Sequence, residues 1–265
     1  MNNIESWVIC VNSQEHLWEL EEWYQQCYKQ AWPSQRDNDY GQQQLLLFPK
    51  ARQMLQRYIQ ALNCLDKSFI ADFSTNCPAP IESAQFHWEI ALIYFNITLE
   101  LAWGVLETFA HIIVPEIHCN NELEISIIDK AKEYLDYIES NVKAPDNDGT
   151  KRAWEYYGQL SGNDVFRDTI AVWEAYSNGD HLLRQQYNHI KHRGAYRFYE
   201  KTKPTPQFYM KKGSKHFLMD NNDTEKWLEL PAVQKQLQNF EINVLYPYIK
   251  NIMQTILHGF CSSYE

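Results

Sequence analysis

From Ser83 to the residue before Pro115 the chain is helical in pattern and apolar on most faces, through Phe86, Ile90, Ile93, Phe95, Ile97, Leu101, Leu106 and Phe109. A helix without a broad polar side cannot lie along water, so other elements have to enclose it. Its most apolar part, Ile90 to Leu106, raises the question of a membrane span. Asn96 and Glu100 interrupt it and Glu107 and His111 follow. That falls short of the roughly 20 uninterrupted apolar residues a span requires. The expectation is a buried helix with no membrane partner.

What surrounds it is expected to be helical too. Glycine is scarce, at 9 of 265 residues, and alternating β-branched runs are few, which argues against a sandwich or barrel. Apolar residues make up 45%, enough for a substantial core. Leu17, Leu20 and Tyr24 mark a first helix over 13–30, ended by Trp32-Pro33. A second is predicted over 42–65, with Pro49 near its start or kinking it, and 66–80 reads as a linker. Ser83 reads as the N-cap of the central helix. A helix over 124–142, a turn-rich break over 143–149 and a short helical turn over 154–159 follow. The next helix starts at Asn163 and reaches the Ser177-Asn-Gly-Asp180 bend. The final helix is predicted over 229–258, with Pro231 at its start and Pro247 as a kink. Before it, Gln207 to Met219 reads as a β-hairpin turning at Gly213-Ser214. The expected fold is all-α: an up-and-down helical bundle over 81–265 with that hairpin excursion, preceded by an N-terminal helical extension over 1–80.

Charge is distributed unevenly. The chain carries −10 overall, yet Arg184 to Lys215 holds nine Lys/Arg against the single acid Glu200. A local inversion of this size marks a place where an anion, above all a phosphate backbone, is held. Within it stand Arg184, Asn188, His189, Lys191, His192, Arg193 and Arg197. Arginine and histidine about one helical turn apart can bring a guanidinium and an imidazole to one phosphate. The imidazole is then suited to take a proton from a ribose 2′-hydroxyl, while the guanidinium stabilises charge on the phosphoryl oxygens.

Arg184-x4-His189 and the overlapping Asn188-His-Ile-Lys191-His192-Arg193-Gly run resemble the HEPN superfamily. Its members are helical bundles that carry an arginine and, four to six residues on, a histidine near the start of a late helix. The resemblance implies a metal-independent endoribonuclease, often of a toxin–antitoxin or defence system, working as a homodimer whose two motifs form one cleft. Arg184, Asn188, His189 and His192 would then be catalytic, with Lys191, Arg193 and Arg197 binding RNA. An antitoxin or another protein would be a further partner. The sequence departs from the pattern in placing Gln185 directly after the arginine, and in the seven-residue step from Arg184 to His192. Both histidines therefore stay open as the functional one.

A second reading needs no catalysis. A helix end rich in Lys, Arg and His complements the helix dipole, and Arg184 can pair with an acid such as Asp180. The segment would then serve a non-catalytic helical module that docks an acidic protein, a nucleotide or RNA. In this reading Tyr187, Tyr196, Phe198 and Tyr199 are packing residues. No cofactor or metal is expected, because Glu107 and His111 stand four apart and no Glu-x-x-His pair occurs. The six cysteines are scattered without a Cys-x-x-Cys pair, and the N-terminus has no basic start leading into an apolar run. Together these predict a cytoplasmic protein with reduced thiols.

Overall fold

The computed structural model describes residues 15–26, 41–70, 80–113, 136, 139, 148–179, 181–194, 196–199, 207–212, 215–220 and 227–262. Eight helices appear among them. These are α1 (15–26), α2 (Gly41–Ile70), α3 (Pro80–Ile113), α4 (Asp148–Ser161), α5 (Asn163–Ser177), α6 (Leu182–Arg193), α7 (Leu230–Phe240) and α8 (Tyr246–Ser262). Four short strands interrupt the series: β1 (Arg197–Tyr199), β2 (Gln207–Lys212), β3 (Lys215–Asp220) and β4 (Trp227–Glu229). The fold is an all-α bundle with a small strand excursion before the last two helices.

The central rod is α3. Its most extensive interface is with α2, and it also packs against α4, α6, α7 and α8. Trp88, Ala91, Leu92, Phe95, Leu99, Ala102, Val105, Leu106 and Phe109 are buried along it. The polar residues that interrupt the run bond within the helix: the Asn96 amide and the Thr98 hydroxyl each donate to the carbonyl four residues back, at 2.7 Å. By length and composition, Glu82–Ala110 would suffice to cross a membrane, and neighbouring helices bury 56% of its most apolar window. Phe86, expected on the buried face, is instead 58% exposed. Ser83 is not the N-cap, since the helix opens at Pro80, where proline's missing N–H costs nothing.

Other boundaries moved outward. α2 continues to Ile70, and α4 starts at Asp148, taking in the last two residues of the expected turn-rich break, whose residues 143–147 lie outside the described ones. Trp154 and Tyr157 anchor α4 in the core. The predicted 124–142 helix lies outside the described residues apart from 136 and 139, which are helical. The hairpin forms as expected: β2 and β3 pair antiparallel from Gln207↔Asp220 to Lys212↔Lys215. Unforeseen was the parallel pairing of β1 with β4, from Arg197↔Trp227 to Tyr199↔Glu229, which feeds the chain into α7. One hydrophobic cluster runs from Leu20, Leu47 and Tyr58 through Trp88 and Phe95 to Ile252 and Ile256, with members on both sides of residue 80.

Just before Pro247, where a kink was expected in a single helix, a π-helical turn over Glu241–Leu245 separates α7 from α8. A proline at 247 lacks the N–H that would reach back to residue 243, and its ring crowds that carbonyl; the wider π turn relieves the clash. The same turn carries Glu241 into the interior, where it is 2% exposed. The Tyr58 hydroxyl of α2 donates to its carboxylate, and His16 Nδ1 of α1 lies 3.1 Å from the same oxygen. Burial first, and the neighbouring carboxylate second, hold the Tyr58 phenol far above its ordinary value. The His16 ring stacks on Tyr246 at 3.6 Å. Tyr246 in turn donates to Glu19, which also takes a 2.8 Å bond from Lys250. Burial pushes the Glu19 carboxyl up, but Lys250 and Tyr246 outweigh it and bring the group below its usual range. These contacts fasten α1 to α8.

Candidate functional site

The basic segment opens as α6. His181 caps it: the ring Nδ1 accepts from the Leu183 N–H at 3.3 Å. Gly194, at φ 98°, ends it in a conformation that side-chain-bearing residues rarely adopt. Leu183 and Gln186 face the core, whereas Gln185, Lys191 and His192 are exposed. At about 100° per residue, Asn188, Lys191 and His192 lie within roughly 80° of Arg184 around the helix, whereas His189 lies about 140° away.

That rotation separates the expected pair. Arg184 turns toward α3 and α5, where its Nη1 donates to Glu100 Oε1 and to the Tyr176 hydroxyl, both at 2.7 Å. The guanidinium sits 4.7 Å from the Tyr176 ring centroid and 5.5 Å from that of Tyr187. Among the described residues the acid that pairs with Arg184 is Glu100 of α3; Asp180, the partner expected from the sequence, lies outside them. Burial works against the Arg184 charge, and the Glu100 bond with the Tyr176 oxygen overcomes it, raising the group above its ordinary value. Tyr176 is pushed well up by burial and then by the Glu100 charge. Behind it, Trp173 lies 5.8 Å from Tyr176 and stacks parallel to Trp103, with centroids 4.9 Å apart and 1° between planes.

His189 points the other way. Its ring packs on Tyr196 at 4.2 Å, and Tyr196 lies edge-on to Trp88. The Gln85 amide donates to the Tyr196 carbonyl at 3.1 Å. The Tyr196 N–H serves Glu89, whose carboxyl is raised by burial and only partly brought back by its two donors. Tyr196 and Phe198 are thus buried packing residues. Of the two histidines, His192 shares the Arg184–Asn188 side and faces solvent. Lys191 lies 6.0 Å from the Tyr187 ring, and exposed Arg197 lies 5.9 Å from Trp227 across the β1–β4 pair. The side chain of Arg193 and those of Lys201, Lys203, Lys211, Lys212 and Lys215 lie outside the described residues. Among the described residues, no three His, Cys, Asp or Glu side chains converge as a metal-binding set.

In the sequence Glu100 stands out only as a polar interruption of α3, and neither Tyr176 nor the His181 cap is marked at all. Nothing in the local pattern around Tyr176 marks it. His181 makes the start of α6 sensitive to acid. Burial lowers its pKa, so the folded state holds fewer protons and the cap's contribution is complete above the ordinary histidine value. It is lost as pH falls through the lowered value. Amide exchange at Leu183, corrected for its intrinsic rate, should accelerate from pH 7 to pH 5 relative to Ile170 in α5. Equal behaviour of the two amides would show that His181 does not cap α6 in solution.

Comparison with family models, curated proteins and solved structures returned no match, so the chain's function has to be argued from its own residues.

Proposed function

We propose that this chain is a HEPN-like helical protein that binds RNA through the exposed side of α6, with Arg184, Lys191 and Arg197 on the phosphate backbone. One observation carries the reading: Arg184, Asn188, Lys191 and His192 share one side of a single 12-residue helix inside a strongly basic stretch. Phosphate contacts supply most of the affinity of such surfaces, whatever the RNA sequence. Binding without cleavage is the first reading, because Arg184 is engaged by Glu100 and His189 packs against Tyr196 on another side.

Anisotropy with a labelled single-stranded RNA at several salt concentrations tests it. Lys191→Ala and Arg197→Ala should each weaken binding and reduce the slope of log affinity against log salt by about 0.7, one lost phosphate contact on a single strand. A salt slope unchanged in both variants would remove α6 and β1 from the interface.

The exposure of His192 beside Asn188 supports a second reading, a homodimeric metal-independent endoribonuclease. His192 would take the proton of a ribose 2′-hydroxyl as that oxygen bonds to phosphorus. The P–O5′ bond would break, leaving a 2′,3′-cyclic phosphate, and the departing 5′-oxygen would take a proton from water to become a 5′-hydroxyl. Incubation with total RNA and EDTA decides between the two. Cleavage lost in His192→Ala and kept in His189→Ala favours the nuclease, whereas intact RNA favours the binding module.

A further inference from the structure

We infer that Glu100 and Tyr176 are positioning residues that present the outer edge of Arg184 to a phosphate group, an inference that rests on the anion-binding reading of α6. Both partners engage the same nitrogen. Nη1 donates to the Glu100 carboxylate and to the Tyr176 hydroxyl, and the Tyr176 hydroxyl lies 3.3 Å from that same carboxylate oxygen. Three groups from α3, α5 and α6 thus close a small triangle around one corner of the guanidinium. The rings of Tyr176 and Tyr187 flank the planar group itself.

Arginine has five N–H donors in a rigid fork, and this arrangement uses one nitrogen. Nε and Nη2 are left on the opposite edge, the pair whose spacing matches two oxygens of a phosphate. The Arg184 side chain is 24% exposed while Glu100 and Tyr176 hold Nη1, and in the inferred arrangement the Nε–Nη2 edge is the part that meets solvent. A free surface arginine loses side-chain entropy when it grips a phosphate; one already fixed by Glu100 and Tyr176 has lost it on folding. Glu100 is 43% exposed, so water screens its charge and weakens its repulsion of a ligand anion.

A carboxylate beside an arginine can also act as a competitor for the ligand, and the two roles predict opposite results. Glu100→Gln keeps an oxygen that accepts from Nη1 and removes the charge. Glu100→Ala removes both. If Glu100 positions Arg184, the Gln variant binds RNA at least as tightly as the wild type, and the Ala variant binds about tenfold more weakly, near the level of Arg184→Ala. Were Glu100 a competitor, both variants would bind more tightly, and that outcome overturns the inference. Equal affinity in all three proteins overturns it as well.

The same question can be put without RNA. In the 15N-labelled full-length protein, titration with inorganic phosphate should shift the Arg184 Nε–H cross-peak in wild type and Glu100→Gln. In Glu100→Ala the shift should need about tenfold more phosphate. A wild type that responds to phosphate but does not bind RNA would refute the RNA reading and leave the positioning role standing. A wild-type cross-peak that phosphate leaves unmoved refutes the positioning role. If thermal melting shows Glu100→Ala to be unfolded, Tyr176→Phe replaces it, with the same weakening expected.

Discussion

Replacing Glu241 with alanine is expected to remove about 2–5 kcal/mol of folding stability, because it takes the acceptor from two partners at once and a buried polar group left unsatisfied costs about 1–3 kcal/mol. The carboxylate is 2% exposed and is the shared acceptor for Tyr58 of α2 and His16 of α1. Alanine leaves the Tyr58 hydroxyl buried without that partner, and it frees α1 from the π turn. Tyr58→Phe removes one donor and leaves His16 in place, so about 1–2 kcal/mol is expected there. Urea unfolding of both single variants and the double variant measures the coupling between them. A loss below about 1 kcal/mol in Glu241→Ala would mean that water reaches the carboxylate in solution.

Trp88→Ala should cost a similar amount, about 3–5 kcal/mol, because it empties a fully buried site of the largest side chain available. Trp88 is 0% exposed and donates to the Val233 carbonyl at 3.2 Å. Its ring meets Tyr196 and Phe198 edge-on, at 6.4 and 5.3 Å, and so joins α3 to β1 and α7. Tyr196 is also the surface on which His189 packs. The variant is therefore expected to loosen the C-terminal end of α6 before its N-terminal end. Hydrogen exchange should speed up at Ile190 more than at Gln186. A uniform change along α6, or a loss under about 1 kcal/mol, would contradict the role given to Trp88.

The parts of the fold that could be read in the chain are those governed by neighbours in sequence. α3 declared itself because apolar residues cover most of its faces, a property local to one segment. The hairpin of β2 and β3 was legible from Gly213-Ser214 between two short runs. α4 was only partly legible: Asp148-Gly149 looks like part of a turn, yet both open the helix, which the burial of Trp154 and Tyr157 against other helices anchors. The site shows the same division. Which residues share the outer side of α6 follows from helical geometry, and that geometry sets His189 apart from Arg184. The pairing of Arg184 with Glu100 spans 84 residues, and that of His16 with Glu241 spans 225. No local pattern encodes contacts of that range, because they depend on how whole helices pack.

The parallel indoles of Trp103 and Trp173 give the molecule an optical consequence. Two stacked, parallel chromophores 4.9 Å apart couple their excited states, and a turn of one indole against the other within those planes gives the native dichroism a split band. Trp173 adjoins the phenol that grips Arg184, so any tilt of α5 against α3 at that arginine alters the splitting. Ligand capture at α6 could therefore be followed in unlabelled protein, without a dye or a tag.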